Sequence, residues 1–145
     1  MSEKLFSTSE REAIIKAIRN AEIATSGEIQ VHIESRCKSE VIDRAMVIFD
    51  KLKMYQTEDR NGVLFYLAVE DKKFAILGDS GINEAVPVDF WETIKEHLAS
   101  KFKAGQFTEG LIEGIQEAGK QLGSHFPNTG DSDINELPDE ISFGS

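Results

Sequence analysis

"NGVLFYLAVEDKKFAILGDSGIN", residues 61–83, reads as two apolar runs joined by a short polar turn. Residues 61–70 are apolar at nearly every position, as a strand covered on both faces would be. The polar turn "EDKK" then leads into "KFAILGD", so the two runs are expected to pair as an antiparallel hairpin. The second run ends in a glycine-flanked acidic turn that stops at Pro87. Two readings of Asp79 are open there. Gly supplies turn angles and Asp local hydrogen bonds, which makes "GDSG" a plain turn. Alternatively, Asp79 is a ligand or catalytic carboxylate fixed at the end of a strand.

Before this hairpin, residues 7–25 open with "STSERE", where Ser9 and Glu12 have capping-box spacing, and continue with Ile14, Ile15, Ile18 and Ala21 at helical intervals. "SGEIQVHIE", residues 26–34, breaks that helix at Gly27. It alternates Ile29, Val31 and Ile33 against Glu28, Gln30, His32 and Glu34, a strand with one polar face, expected near a sheet edge or beside a cleft. Residues 39–54 return to helical spacing through Val41, Ala45, Ile48 and Leu52, with Ile42, Met46 and Phe49 widening the apolar stripe. Beyond the hairpin, Asp89 is placed to cap against Glu92, and Phe90, Trp91, Ile94, Leu98 and Phe102 form the buried side of a third major helix. A last helix carries Leu111, Ile112, Ile115 and Leu122. Its Gly110, Gly114, Gly119 and Gly123 cost about 1 kcal/mol each relative to Ala in a helix interior, which predicts close packing on a neighbour. Strand, crossover helix, strand and hairpin add up to a mixed sheet with helices on its faces, an α/β domain over residues 1–126.

The formal net charge of −10, from 16 basic and 26 acidic residues, repels nucleic acid and anionic lipid and favours cations as partners. Residues 127–145 carry Asp131, Asp133, Glu136, Asp139 and Glu140 without a Lys or Arg, and are expected to be a largely disordered acidic tail. No apolar run approaches the roughly 20 residues of a membrane span, and the N-terminus lacks a secretion-signal pattern. A cytoplasmic location without membrane insertion is the expectation. The lone Cys37 cannot form an internal disulfide, which fits a reducing compartment.

Much chemistry is disfavoured. His32, His97 and His125 have no metal-ligand spacing with Cys37, and no phosphate-cradling glycine loop occurs. The Ser of "GDSG" lacks the nucleophile-elbow pattern. Carboxylates are different. If the first two strands are parallel, Gly27 and Glu28 start at the same sheet end as Glu58, Asp59 and Asn61, and the returning third strand delivers Gly78 and Asp79 there too. Glu28, Glu58, Asp59, Asn61, Asp79 and Glu84, with Ser80 and Asn83, would then supply hard oxygen ligands for calcium or magnesium. The plainer reading is that loops of an acidic protein are acidic. Glu34, Glu70 and Asp71 form a weaker cluster at the opposite end, where Lys72 and Lys73 favour a solvated turn.

Together, "SGEIQVHIE", "RNGVLFYLAVEDKKFAILGDSGIN", "VPVDFWETI" and "FKAGQFTEGLIEGIQ" resemble the TPM domain family over about residues 5–126. That family is named for a thylakoid-lumen protein of photosystem II repair, a related photosystem protein and an acetylcholine-receptor modulator. The resemblance implies an α/β/α sandwich with a mixed, Rossmann-like sheet and no nucleotide loop. It further implies divalent-cation binding by acidic residues in loops at one end of the sheet, and the acid phosphatase activity of some plant members. Asp79 falls on the residue after the family's strand-ending glycine, and Asn61 on the polar residue before its Gly-Val-Leu run. Many relatives carry an export signal with a membrane anchor or a glycine-rich tail. The chain shows neither, so roles in photosynthetic membranes or receptor assembly are not expected.

Three functions follow as expectations. The first is a divalent-cation module, with calcium ahead of magnesium, acting in binding or regulation. The second is a metal-assisted phosphatase acting on phosphate monoesters at the same carboxylates. The third is an adaptor that captures a protein partner through the acidic tail.

Overall fold

The computed structural model describes residues 6–57, 59–87, 89–127 and 141–143. A four-stranded sheet organises them, in the order β3 (Lys73–Gly78), β2 (Gly62–Ala68), β1 (Glu28–Glu34), β4 (Ile141–Phe143). Its central pair is β1 (Glu28–Glu34) and β2 (Gly62–Ala68), parallel as the helical crossover α2 (Val41–Lys51) requires. β3 (Lys73–Gly78) returns antiparallel to β2, completing the expected hairpin. Every residue of β2 is buried, in keeping with its unbroken apolar run.

Helices cover both faces, forming the layered α/β arrangement expected of the sequence. On one face, α1 (Thr8–Ala24), α4 (Glu92–Lys103) and α5 (Phe107–Gly123) bury Ile14, Ile18, Leu98 and Ile115 against Val31, Phe65 and Leu67. On the other, α2 and a 3-10 turn at Met54–Gln56 bury Ala45, Ile48 and Met54 against Leu64, Tyr66 and Ala75. The α5 glycines are packing positions: a Cβ on Gly114 would lie 2.9 Å from Leu98, and one on Gly119 2.7 Å from Ala21. No helix among the described residues is long and apolar enough to cross a membrane.

Several local expectations change. The capping box of α1 is Ser7 with Glu10: Glu10 N–H donates to Ser7 Oγ at 3.1 Å and Ser7 N–H to Glu10 Oε1 at 2.9 Å. Starting two residues earlier than Ser9 lets Phe6 enter the core. Asp89 makes no side-chain cap on α4, whose N-cap is Trp91. The apolar stripe of α2 is wider than the sheet beneath it, so Ile42 and Met46 stay exposed.

The polar face of β1 also differs from expectation. All seven residues of β1 are buried, and the strand is internal, because Ile141–Phe143 forms β4 and pairs in parallel with Val31–Ile33. These three residues of the segment read as a disordered tail are thus sheet residues. Residues 128–140 lie outside the described residues.

Candidate functional site

Sheet register fixes the predicted acidic end. Glu28 stands opposite Gly62 in the parallel pair. Val63 stands opposite Gly78 in the antiparallel pair, which brings Asp79 level with Gly62; Asp79 N–H donates to Gly62 O at 2.9 Å. Glu28, Gly62 and Asp79 therefore form one row across the sheet. Side-chain alternation puts both carboxylates on the α2 face.

The convergence stops at that row. Two strand spacings, roughly 10 Å, separate the backbones of Glu28 and Asp79. Fully buried Met54 comes down between them, its carbonyl oxygen 3.1 Å from where a Cβ on Gly62 would sit. Asp59 and Glu84 are exposed, Glu84 on the short helix α3 (Ser80–Ala85), and Glu58 lies outside the described residues. Among the described residues, no three His, Cys, Asp or Glu side chains gather closely enough to hold a metal ion.

Asp79 is the best-defined of the predicted ligands. It is 6% exposed and N-caps α3, with Oδ1 accepting from Ser80 N–H at 2.7 Å. Its carboxylate is gripped by Arg60, Nε to Oδ2 at 2.7 Å and a terminal guanidinium nitrogen to Oδ1 at 2.8 Å. Arg60 adopts a left-handed φ of 51°, and its carbonyl accepts from Gly81 N–H at 2.8 Å. Gly81 is needed for space: a Cβ there would be 2.1 Å from Asp59 O and 2.6 Å from Arg60 O. Neither Gly78 nor Gly81 uses a positive φ, so close approach rather than turn angle explains both.

Asn61 is almost fully buried and turned toward β1. Its Nδ2 donates to Ser26 O at 3.3 Å, its N–H to Thr57 Oγ1 at 3.1 Å, and its own carbonyl accepts from Glu28 N–H at 3.2 Å. Its Oδ1 is buried with no partner among the described residues. Such an acceptor is ordinarily satisfied by a water or an ion.

Asp79 and Arg60 open onto a groove of about 760 Å3 between α2 and α3, shared with Met46, Tyr55, Ser80 and Asn83. Arg60 is the member that sequence reasoning missed. The available signal was a single basic residue next to Asn61 among acidic loops.

The opposite sheet end holds a polar network in place of the solvated cluster expected there. Glu34, 2% exposed, accepts hydrogen bonds from Arg44 of α2 and from Tyr66 Oη, and lies 3.2 Å from His32 Nε2. His32 Nδ1 meets Ser142 Oγ of β4 at 2.8 Å. Burial pushes the Glu34 carboxyl up, but the hydrogen bonds from Arg44 and Tyr66, with His32 close beside it, outweigh it and hold the pKa at about 2. Burial, reinforced by Glu34, pushes the Tyr66 phenol up, whereas burial pulls His32 down against the opposing pull of Glu34. Asp71 accepts from Cys37 N–H at 2.7 Å, and exposed Glu70 pairs with Arg36. Glu34 is matched by Arg44, and through Tyr66, His32 and Ser142 this network joins α2, β1, β2 and β4 and reads as architecture.

A family model described as the TPM domain matches residues 1–121. Among solved structures, the chain is similar to the BA42 protein of the psychrophilic bacterium Bizionia argentinensis, at 50% identity over 96% of this chain and 95% of that one, with a TM-score of 0.90. It shares its fold with the N-terminal domain of the cg2496 protein from Corynebacterium glutamicum, at 13% identity over 97% of this chain and 80% of that one, with a TM-score of 0.62. The same holds for the N-terminal domain of a P. gingivalis protein, at 21% identity over 83% and 79% of the two chains, with a TM-score of 0.65. No curated protein matches the chain.

Proposed function

The chain belongs to the TPM domain family, and from that premise we propose that it is a divalent-cation module whose ion, calcium or magnesium, is anchored by Asp79. One observation carries the reading. The buried Asp79 carboxylate is neutralised by a guanidinium that is itself 49% exposed, a counter-charge that a competing cation can displace. Ser80 and Asn83 in the same groove are further oxygen donors, whereas Asn61 is turned toward β1 and does not line it. Few protein carboxylates in reach suits an ion that retains several of its waters, as magnesium does, or a calcium site of modest affinity.

The test is a titration of the full chain with calcium and then magnesium, followed by amide chemical shifts. Residues 59–61 and 78–84 should move by millimolar ion. Immobility of both segments would remove the proposal.

A second reading is a metal-assisted phosphatase on phosphate monoesters, favoured by the position of Arg60. Its guanidinium lines the groove beside Asp79, where it can pair with a phosphoryl oxygen while the ion polarises another. Turnover of a generic monoester lost on both chelation and Asp79→Ala would support it. Turnover that survives Asp79→Ala would count against it.

A further inference from the structure

Five large apolar side chains stand well exposed among the described residues, and four of them are neighbours: Ile42, Met46 and Val47 on α2, and Tyr55 just beyond it, all 40–58% exposed. This is the part of the α2 stripe that the sheet does not cover. Ala45 and Ile48 fill the space over β2 and β3, leaving a second apolar face turned outward. Met46, Val47 and Tyr55 line the groove that ends at Arg60.

The charges around this face indicate its occupant. Asp43 and Asp50 are exposed, one heptad apart, with Met46 and Val47 between them, so all four share one side of the helix. Neither carboxylate has an ion-pair partner among the described residues. Arg60 is already paired with Asp79, and Arg44 with Glu34. The face therefore presents an apolar centre between two free negative charges, on a chain of formal net charge −10. A second copy would set the same carboxylates against each other, and an anionic lipid surface would be repelled.

We propose that the outer face of α2, with the Tyr55 wall of the groove, docks an amphipathic helical segment of another protein, apolar at its centre and carrying Lys or Arg about seven residues apart. The partner's apolar side chains cover Met46, Val47 and Tyr55, and its cations meet Asp43 and Asp50. Met46 supplies the adaptable contact that such surfaces use. The inference is independent of ion binding at Asp79.

The experiment uses the full chain with chelator present, so that an ion site plays no part in the result. The probe is a synthetic Leu/Lys helix of about 18 residues with apolar positions at helical spacing, compared with a scrambled isomer of identical charge. The amphipathic peptide should shift amides of residues 42–55 and bind at least about tenfold more tightly than its isomer. Met46→Glu should abolish that preference, and Asp43→Asn with Asp50→Asn should weaken binding about tenfold, while all variants keep the wild-type amide spectrum elsewhere. Equal affinity for the two peptides, or shifts centred outside residues 42–55, would overturn the proposal. So would concentration-dependent dimerisation that Met46→Glu removes, which would assign the face to a second copy.

Discussion

Arg60 and Asp79 meet through two parallel hydrogen bonds of 2.7 and 2.8 Å, so the chain carries its own cation on the carboxylate proposed to hold a metal ion. The guanidinium is thus a competitor. Replacing it by a neutral residue that tolerates the left-handed backbone at this position should release the carboxylate. Arg60→Asn is expected to tighten calcium or magnesium binding by roughly 3- to 10-fold, measured by calorimetry. Weaker binding in this variant would mean that Arg60 supports the site instead of blocking it.

Asp79 performs two tasks that can be separated. Asp79→Asn keeps a side-chain oxygen to accept from Ser80 N–H but loses the charge, whereas Asp79→Ala loses both. Ion-induced shifts should vanish in both variants. Thermal stability should fall by about 1 kcal/mol more in Ala than in Asn. An Asn variant that still binds the ion as tightly as the wild type would remove Asp79 as the anchor.

Much of this geometry was legible in the sequence, because it follows from local pattern. The apolar run 61–70, the polar turn after it and the helical spacing of residues 41–52 were enough for β2, β3, the crossover and the parallel pairing of β1 with β2. They also placed Glu28 and Asp79 at one sheet end. What no local pattern contains is lateral distance. The 3-10 turn that lowers Met54 onto Gly62 separates the two carboxylates, and it follows from tertiary packing. Non-local pairing hid β4 in the same way: Val31 meets Ile141 across most of the chain, and an acidic, proline-containing segment reads as solvated. Glu34 looked exposed for want of knowing that Arg44, ten residues on, would fold back over it.

Glycine positions give a third prediction. At Gly81 the obstruction is backbone, the carbonyls of Asp59 and Arg60, and at Gly119 it is the backbone and Cβ of Ala21. Neither can move without displacing a whole segment. Gly81→Ala and Gly119→Ala should each destabilise by about 1–3 kcal/mol in denaturant unfolding. Gly105, with φ 79° and open space around it, should tolerate Asn at much smaller cost. Wild-type stability in Gly81→Ala would show that the 59–60 loop yields easily.

The Glu34 network predicts how stability depends on pH. Burial lowers the pKa of His32 from its ordinary 6.5, so its contribution is complete above that value and is lost as pH falls toward the depressed folded value. Glu34, lowered from 4.5 to about 2, contributes fully above 4.5 and loses that contribution as pH falls toward 2. Both groups act in the same direction. The unfolding midpoint should be level between about pH 7 and 9, decline below about 6.5, and fall more steeply below about 4.5. His32→Gln should flatten the upper step, while Glu34→Gln should remove the lower one. The second variant also lowers the neutral-pH plateau, because Arg44, at 31% side-chain exposure, is left beside a buried neutral amide. Breaking a pair of this kind costs about 3 kcal/mol, and each kcal/mol moves the midpoint by about 3 °C in a chain of this size. A wild-type midpoint that stays constant from pH 7 to 3 would show that protonation of these groups is not linked to folding, and that the bonds joining α2 to β1 hold irrespective of charge.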